Sequence, residues 1–382
     1  MDADAQVDSV LLLRSSAGLY GADRMVLALN EGLSQRGIRS RLLSINNYRL
    51  QRQPVHEHAS GSAQDAVLLP CRSKLDMQTV AALVEQIDCR KATVLHVHDY
   101  KSAFYAWLAA RRRPGVKLVA TLHGWVEATQ ALRLYNRLEI ALLRRFDRLV
   151  VVSQVQTTRL SRAGIPLSRI VQIDNGISIS GTSPALGAAL RAELGLDGRH
   201  PVFMAAGRLS PEKNLALLVD VFAAVAAALP GSRLLLAGDG PERERLQQQV
   251  RQLAMQDTVL FLGSRPDMQD LYPLVDCLVL PSLSEGMPLV VLEAMSHGVP
   301  VIASAVGDVP RLLGNTRSGK LVEAGDGPAL RMAMIEMGLQ PKCCDRKAEA
   351  YVRTHHSSPA MAGKYLALYQ ALRVDGHDRK VA

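Results

Sequence analysis

The chain has 382 residues, of which 48% are hydrophobic and 21% charged, which excludes a disordered or fibrous protein and leaves room for two domains with separate cores. Residues 1–180 hold 24 Lys and Arg against 15 Asp and Glu, whereas the remainder is neutral, so the formal charge of +9 belongs to the first half. With 4% aromatic residues and no nucleic-acid-binding motif, we expect no nucleic-acid partner.

The five cysteines show neither Cys-x-x-Cys spacing nor a neighbouring histidine cluster, so we expect no metal site and a reducing compartment. The first residues, Met-Asp-Ala-Asp, lack the basic start of a secretory signal. The longest apolar stretch, Ala216–Leu229, is interrupted by Asp220 and is short for a membrane span. These features predict a cytoplasmic protein.

Apolar strand-like runs alternate with helical patterns along the whole chain, which predicts parallel sheets with helices on both faces. The predicted α/β architecture comprises two Rossmann-like doubly wound domains, at 1–177 and 199–358, with a linker at 178–198 and a final helix at 359–376. The predicted strands are Val7–Leu13, Arg39–Ile45, Ala66–Leu69, Val94–His98, Lys117–Leu122, Arg148–Val152, Ile170–Ile173, Pro201–Ala206, Ser232–Gly238, Thr258–Leu262, Cys277–Leu280, Val299–Ala303 and Gly319–Val322.

A Gly-rich loop, Ser15–Asp23, follows the first strand, and its residues Gly18 and Gly21 would let the backbone approach a phosphate closely. The spacing Gly-x-x-Gly differs from the dinucleotide-binding fingerprint. Further along, His123 stands just after the predicted strand Lys117–Leu122. A lone histidine is more often structural than functional, so position alone leaves both interpretations open.

In the second half, a strand, a turn at Gly207 and a helix start carrying Arg208 and Lys213 follow one another. Arg can bind a phosphate through two hydrogen bonds, whereas Lys acts as a point charge, so the block predicts a cationic pocket. The alternative is a helix cap with exposed charges.

Glu285 and Glu293 flank a segment that leads from the apolar run Cys277–Pro281 into a predicted helix, Leu289–Met295. Pro288 suits the first helical position because its missing N–H has no partner there. Free amides at such a helix start favour an anion such as a diphosphate, and the carboxylates can accept hydrogen bonds from hydroxyls. A nucleotide sugar combines both groups, although two solvated glutamates are the alternative interpretation.

Taken together, these blocks resemble the signature of retaining GT-B glycosyltransferases of family 4, and the resemblance covers nearly the whole chain. It implies two domains facing a central cleft, with a nucleotide-sugar donor bound by the second. The residues it implies are Arg208, Lys213, Glu285 and His123 for catalysis; Gly18, Gly21, Gly207, Gly286, Met287, Pro288, Leu289 and Glu293 for the sugar donor; and Gly263 and Arg265 near the base. Asp308 and Arg311 depart from the family pattern, in which Gly and Glu are commoner, so local hydrogen bonding there is in question.

The resemblance further implies transfer of a sugar to a glycan or polyprenyl-linked acceptor in bacterial exopolysaccharide, capsule or lipopolysaccharide synthesis. With Arg208 and Lys213 facing the diphosphate, no metal or other cofactor is required. The acceptor would bind the N-terminal domain near Gly18 and Trp125. The basic residues of that domain, including the predicted helix Arg133–Arg148, would contact anionic lipid at the inner face of the cell membrane. The alternative for this helix is a packed element with solvated arginines. The alternatives are a GT-B sugar-nucleotide 2-epimerase and a catalytically silent partner subunit.

Overall fold

The computed structural model describes residue 7 and residues 9–123, 138–179, 181–317 and 319–381, with side chains up to Arg373. The chain divides into two compact units. The first unit comprises Met1–Ser178 and Ser357–Ala382, and the second comprises Ile179–His356. Within the described residues, no helix is both long enough and apolar enough to cross a bilayer.

Seven parallel strands among the described residues form the sheet of the first unit, in the order β3-β2-β1-β4-β5-β6-β7. The strands are β1 Ser9–Arg14, β2 Arg39–Ile45, β3 Ala66–Leu69, β4 Val94–Val97, β5 Lys117–Leu122, β6 Arg148–Val151 and β7 Ile170–Gln172. The helices are Gly21–Gln35, Pro54–Gly61, Met77–Arg90, Tyr100–Ala110, Gln154–Arg162 and Ser358–Val381, and residues 138–143 are also helical.

Six parallel strands within the described part of the second unit form its sheet, in the order β10-β9-β8-β11-β12-β13. The strands are β8 Val202–Ala206, β9 Arg233–Ala237, β10 Val259–Gly263, β11 Cys277–Leu280, β12 Val301–Ser304 and β13 Lys320–Val322. The helices are Pro184–Glu193, Leu215–Ala228, Arg243–Gln252, Met268–Leu271, Leu289–Ser296, Val309–Leu313, Gly327–Leu339 and Arg346–His355.

The central strands are buried on both faces, which explains why they appear in the sequence as unbroken apolar runs. In β1 the residues Val10–Leu13 are fully buried. In the second unit Phe203 of β8 meets Phe222 of the helix Leu215–Ala228, with ring centroids 6.1 Å apart. Burying one such side chain contributes about 2 kcal/mol, so each sheet is held mainly by these apolar contacts.

The final helix, Ser358–Val381, packs against the helix Gly21–Gln35 of the same unit. The contact is close at Gly32, where an added Cβ would lie 2.3 Å from the carbonyl oxygen of Ser358. Tyr369 of the final helix is buried and its hydroxyl lies 2.7 Å from Nδ1 of His96. Apolar packing and a buried polar contact therefore both attach this helix to the first sheet.

The segment 178–198, predicted as a linker, contains the helix Pro184–Glu193. Ser183 caps it by accepting a hydrogen bond from the amide of Leu186, and Pro184 occupies its first turn. The Ser183 amide also donates to Asp270 of the second unit at 2.7 Å. Apart from Ser178, the segment belongs to the second unit, and it includes a helix that the sequence analysis had not assigned.

Candidate functional site

The loops that follow β8 and β11 occupy a topological switch point of the second sheet. The strand order runs outward from β8 to β10 on one side and from β11 to β13 on the other. In open parallel sheets, ligands bind beyond the carboxyl ends of the strands where the order reverses. Gly207, Arg208 and Lys213 follow β8, and Glu285 follows β11, so the structure brings the predicted cationic and acidic blocks to this position.

Lys213 and Glu285 form a direct ion pair in which the ammonium donates to Oε1 of Glu285 at 2.6 Å. Ser282 donates to the same oxygen at 2.7 Å. The Glu285 side chain is 8% exposed and that of Lys213 is 21% exposed, so the pair is largely desolvated. An ammonium has three N–H donors, so Lys213 keeps donors for an anionic ligand while Glu285 holds its orientation.

Backbone hydrogen bonds join the neighbouring loops at this edge. The amide of Leu283 donates to the carbonyl of Glu212 at 2.8 Å, and that of Asp308 donates to the carbonyl of Gly286 at 2.9 Å. Gly307 adopts φ +55°, and a Cβ there would lie 2.3 Å from the carbonyl oxygen of Glu285. The loop carrying Glu285 is thus fixed by backbone contacts on two sides.

The turn at Gly207 is supported in the same way by the loop that follows β9. Gly238 adopts φ +139°, and a Cβ there would lie 1.8 Å from the carbonyl oxygen of Gly207. Only glycine allows this approach, because any side chain would displace the turn that carries Arg208.

The helix Leu289–Ser296 begins at the predicted residue, but the position of Pro288 differs from the prediction. Pro288 is the N-cap, with extended backbone angles of φ −73° and ψ 122°, rather than the first helical residue. Proline has no side-chain oxygen with which to cap the first amides, so the helix start presents them for another acceptor. Met287, Pro288 and Leu289 are buried at this start, beside the partly exposed Gly286.

Glu293 lies in the same helix and accepts a hydrogen bond from the hydroxyl of Tyr272 at 2.7 Å. Tyr272 is fully buried, and its ring stacks on that of His297 with centroids 5.4 Å apart. Sequence reasoning missed Tyr272 because it precedes Glu293 by 21 residues and belongs to another element. The tyrosine fixes one oxygen of the carboxylate, which orients Glu293 for a polar ligand.

The two predicted arginines have different surroundings. Arg208 is exposed at the end of the turn after β8. Arg265 instead forms two hydrogen bonds with Asp267, at 2.7 and 2.8 Å, and one with Glu193 at 3.0 Å. These contacts raise the pKa of the Arg265 guanidinium, led by the hydrogen bond to Asp267. Arg265 is thus bound within the protein.

Gly263 and the two unusual residues after β12 lie at the same sheet edge. Gly263 ends β10 with φ +66°. Arg311 donates to Asp308 at 2.9 Å. The residues that depart from the family pattern therefore pair with each other.

The first sheet also reverses its strand order, between β1 and β4. The predicted Gly-rich loop lies there and folds around the carboxylate of Asp23, which is fully buried. Asp23 accepts hydrogen bonds from the Tyr20 amide at 2.8 Å and from Arg14 at 2.7 Å. From the β4 side, Asp99 accepts from the Ser15 amide at 2.7 Å. Sequence reasoning did not select Arg14 or Asp99, although Asp99 follows a strand end directly.

The two glycines of this loop differ in their surroundings. A Cβ on Gly18 would lie 2.6 Å from the Tyr20 ring, whereas one on Gly21 would meet nothing within 4 Å. The nearby atoms belong to the end of the exposed Tyr20 side chain, which can move aside, so this contact alone does not require glycine at Gly18. At Gly21 the space is open, so a requirement for glycine there would have to come from a ligand.

His123 follows β5 and belongs to a row of three histidines. Its Nε2 lies 3.3 Å from Nδ1 of His98. The ring centroids of His98 and His96 are 4.1 Å apart. Burial, followed by the nearby Arg14 charge, lowers the pKa of His123 to about 3. Burial likewise lowers the pKa of His96 and of His98 well below the usual range. All three are therefore neutral at physiological pH.

Trp125 lies outside the described residues, as do residues 133–137 of the predicted basic helix. Of the remainder, residues 138–143 are helical. The guanidinium groups of Arg111 and Arg145 lie 5.4 and 5.3 Å from the centroid of the Trp107 ring. Within the part of the chain that the structure describes, no group of three or more His, Cys, Asp or Glu could hold a metal ion.

Two family profiles match this chain and between them cover most of it. Residues 20–180 match the profile described as Glycosyltransferase Family 4, and residues 200–338 match the one described as Glycosyl transferases group 1. The chain belongs to the family 4, group 1 glycosyltransferases. This membership confirms the predicted enzyme class, a glycosyltransferase of the hexosyltransferase type.

Two curated relatives of this glycosyltransferase show how far the similarity extends. An Escherichia coli protein named UDP-Gal:alpha-D-GlcNAc-diphosphoundecaprenol alpha-1,3-galactosyltransferase is 29% identical over 69% of this chain and 70% of its own length. D-inositol 3-phosphate glycosyltransferase of Mycobacterium sp. strain KMS is 32% identical over 61% of this chain. The matched region spans only 56% of the mycobacterial enzyme.

Among solved structures, the Anabaena protein HepE in complex with UDP and glucose superimposes with a TM-score of 0.81. The alignment covers 95% of this glycosyltransferase and 99% of the Anabaena chain at 21% identity. Together with the two parallel sheets, this likeness confirms the predicted GT-B fold.

Proposed function

We propose that this glycosyltransferase moves a hexose from a UDP-sugar to a hydroxyl of a lipid-linked glycan and retains the anomeric configuration. The observation that carries the proposal is the Lys213–Glu285 pair at the switch point of the second sheet, beside a helix start without a side-chain cap. The pair supplies a cation for a diphosphate and a carboxylate for sugar hydroxyls. The E. coli relative is named for UDP-Gal and the Anabaena structure is a complex with UDP, which supports uracil as the base.

The proposed binding mode assigns each part of the sugar nucleotide to a group at this edge. The diphosphate contacts Lys213, Arg208 and the amides of the helix start at Leu289, all of which favour negative charge. The ribose hydroxyls contact Glu293, whose carboxylate is oriented by Tyr272. The sugar contacts Glu285. Gly263 lies near the base, and Arg265 shapes that region through its contacts with Asp267 and Glu193.

In the reaction, the acceptor hydroxyl oxygen forms a bond to the anomeric carbon while the bond between that carbon and the diphosphate oxygen breaks. Negative charge grows on the leaving diphosphate, which takes up the proton of the acceptor hydroxyl. Lys213 and Arg208 stabilise that charge without reorganising, which is commonly a large electrostatic contribution to catalysis. These cations perform the role that a divalent metal performs elsewhere, so we propose metal-independent transfer. His123 in the first unit contributes a neutral imidazole that can hydrogen-bond a substrate hydroxyl.

For the acceptor we propose a glycan on a polyprenyl diphosphate, in the synthesis of a cell-surface polysaccharide. The net positive charge of residues 1–180 supports this class of acceptor. The E. coli relative is named for a diphosphoundecaprenol-linked acceptor, which also supports it. Peripheral contact with anionic lipid would bring enzyme and acceptor together. Vesicle co-sedimentation with and without anionic lipid tests that contact, and equal sedimentation at moderate salt would argue against it.

The primary test combines nucleotide binding with turnover. We expect UDP to raise the melting temperature of the folded protein in the presence of a chelator, and GDP and ADP to raise it less. We expect Lys213→Ala and Glu293→Ala to lower turnover of the UDP-sugar by about 10²- to 10³-fold while circular dichroism remains unchanged. Proton NMR of the product should show the anomeric configuration of the sugar donor.

Lys320→Ala is a matched control, because Lys320 is also ion-paired, with Glu336, at the edge strand β13 of the same unit. This substitution should change turnover by no more than about twofold relative to the unsubstituted protein, because an exposed ion pair contributes little to stability. Conversion of the sugar nucleotide without acceptor would instead indicate a 2-epimerase. A folded protein that binds none of the nucleotides would indicate a silent partner subunit.

A further inference from the structure

His98 is a buried histidine at the switch point of the first sheet, directly after β4, and the reaction as described above leaves it without a role. It is 2% exposed. Its backbone carbonyl accepts a short hydrogen bond from the guanidinium of Arg14, which anchors the loop between β4 and the helix Tyr100–Ala110. A polar ring buried at this position needs a reason, because burial without satisfied hydrogen bonds is costly.

The ring of His98 contacts that of His123 through their nitrogens. Nδ1 of His98 lies 3.3 Å from Nε2 of His123, and the planes differ by 27° with centroids 5.5 Å apart. The second nitrogen of His98, Nε2, has no hydrogen-bond partner among the described residues. Nδ1 of His123 has no protein partner in the described part of the chain either, and His123 is partly exposed.

Both rings are neutral, since burial lowers the pKa of each and Arg14 disfavours a further positive charge. Each ring then carries one proton, and the contact between them needs one donor and one acceptor. If His123 donated, the proton of His98 would sit on Nε2, as a buried N–H without a partner. If His98 donates, that buried nitrogen carries only a lone pair. This is the less costly arrangement by analogy with backbone groups, among which orphaned buried N–H groups are rarer than under-satisfied carbonyls.

We infer that His98 is a positioning residue that donates from Nδ1 to His123 and so fixes His123 as the Nδ1–H tautomer. His123 then offers its ligand a hydrogen-bond donor and not an acceptor. With the proposed function, on which this part rests, the partner is a hydroxyl oxygen of a bound substrate. The assignment of the tautomer itself needs no substrate, because it depends on the contact between the two rings.

Nitrogen-15 NMR of histidine-labelled full-length protein tests the assignment, with His123→Gln used to identify the His123 signals. Long-range proton–nitrogen correlations distinguish a ring protonated on Nδ1 from one protonated on Nε2. In the unsubstituted protein at neutral pH, we expect His123 to carry its proton on Nδ1. A proton on Nε2 of His123 would overturn the inference.

Three substitutions of His98 separate its hydrogen bond from its volume. His98→Asn keeps an amide near the position of Nδ1, so it should keep His123 in the Nδ1–H form. His98→Phe keeps the ring without the nitrogens, and His98→Gln moves the amide toward the position of Nε2. In both of these, His123 should shift toward the Nε2–H form. An unchanged tautomer in both would overturn the inference, and the glutamine variant decides if the phenylalanine variant does not fold.

Steady-state kinetics tests the consequence for transfer. We expect His98→Phe and His98→Gln to lower kcat about tenfold with little change in the KM of the sugar nucleotide, and His98→Asn to restore most of the rate. Equal rates in all three variants would refute the role in transfer. If no sugar nucleotide is turned over by the unsubstituted protein, the proposed function fails, whereas the NMR result still decides the tautomer.

Discussion

Lys213 and Glu285 are 72 positions apart in the chain, yet one hydrogen bond joins them. The residue types were predictable, because a cation after one strand and a carboxylate after another suit a nucleotide sugar. Their pairing was not, since it depends on β8 and β11 being neighbours, which the chain order does not reveal. The hydrogen bond from the Ser15 amide to Asp99, 84 positions away, was not predictable for the same reason, since it depends on β1 and β4 being neighbours. The roles assigned to these residues in catalysis remain predictions.

The row of buried histidines predicts how the first unit responds to acid. Folding lowers the pKa of His123 to about 3 and that of His96 and His98 well below 6.5, so the unfolded chain binds more protons below pH 6.5. The contribution of these histidines to the free energy of unfolding is therefore complete above pH 6.5. It is lost as the pH falls toward their pKa values in the folded protein. Each histidine that titrates only on unfolding contributes up to about 1.4 kcal/mol per pH unit.

Hydrogen exchange of the β4 and β5 amides measures this loss locally. We expect the free energy of opening to fall by more than about 1 kcal/mol per unit between pH 6 and 5. Arg14, Tyr365 and Tyr369 also face the histidines. Burial raises the pKa of both tyrosines, so neither ionises in that range. Protection that stays constant from pH 7 to 5 would contradict the prediction. In His123→Gln the slope should be smaller, which identifies the histidines as its source.

At the scale of elements, all thirteen strands seen in the described residues were predicted to within about two residues. Parallel strands covered on both faces must be apolar throughout, so they stand out against the amphipathic helices between them. The helix Pro184–Glu193 was not assigned within the predicted linker 178–198, whose start is rich in Gly, Pro and Ser. Ser183 followed by Pro184 is in fact a helix-start signal, an N-cap and a first-turn proline.

Two glycines in the helix Gly21–Gln35 allow a controlled test of its packing. At Gly32 a Cβ would lie 2.3 Å from the Ser358 carbonyl oxygen and 2.9 Å from Cβ of Ala362, so Gly32→Ala should force the final helix outward. We expect a loss of about 1–3 kcal/mol in the free energy of unfolding of the first unit, as in other overpacked sites. Hydrogen exchange in the two helices would measure it.

Gly21→Ala is the matched control, because nothing lies within 4 Å of a Cβ at Gly21. Alanine favours the helix over glycine by about 0.5–1 kcal/mol, so this variant should be as stable as the original or slightly more so. Equal destabilisation by both substitutions would mean that helix geometry, and not the contact with the final helix, is responsible. A fall in transfer by stable Gly21→Ala would indicate that a ligand approaches this loop.

At the scale of the whole molecule, the alternation of strands and helices predicted two doubly wound sheets, and the structure contains both. Charge is a property of the same scale. The excess of Lys and Arg in residues 1–180 was visible in the sequence. The functional role of this positive charge depends on the acceptor, which the sequence alone does not specify. Fold was therefore more predictable than substrate, because burial leaves a pattern along the chain and ligand contacts do not.

Because the final helix completes the first unit, a chain ending at His356 should affect the two units differently. It would lack Tyr365 and Tyr369, whose hydroxyls contact Thr121 and His96. We expect the amides of β1 and β4 to lose most of their protection from hydrogen exchange, while those of β8 and β11 keep theirs. UDP binding by the second unit should then remain within a few-fold of that of the full chain. Equal protection of both sheets would contradict this.

The discontinuity of the first unit also has a consequence for synthesis. The ribosome makes residues 1–178, then the whole second unit, and only afterwards the helix Ser358–Val381 that covers the helix Gly21–Gln35. The second unit can fold as soon as it emerges, since domains generally fold as units during translation. The part of the chain made first is therefore the part completed last, and its uncovered apolar surface is where a chaperone would bind.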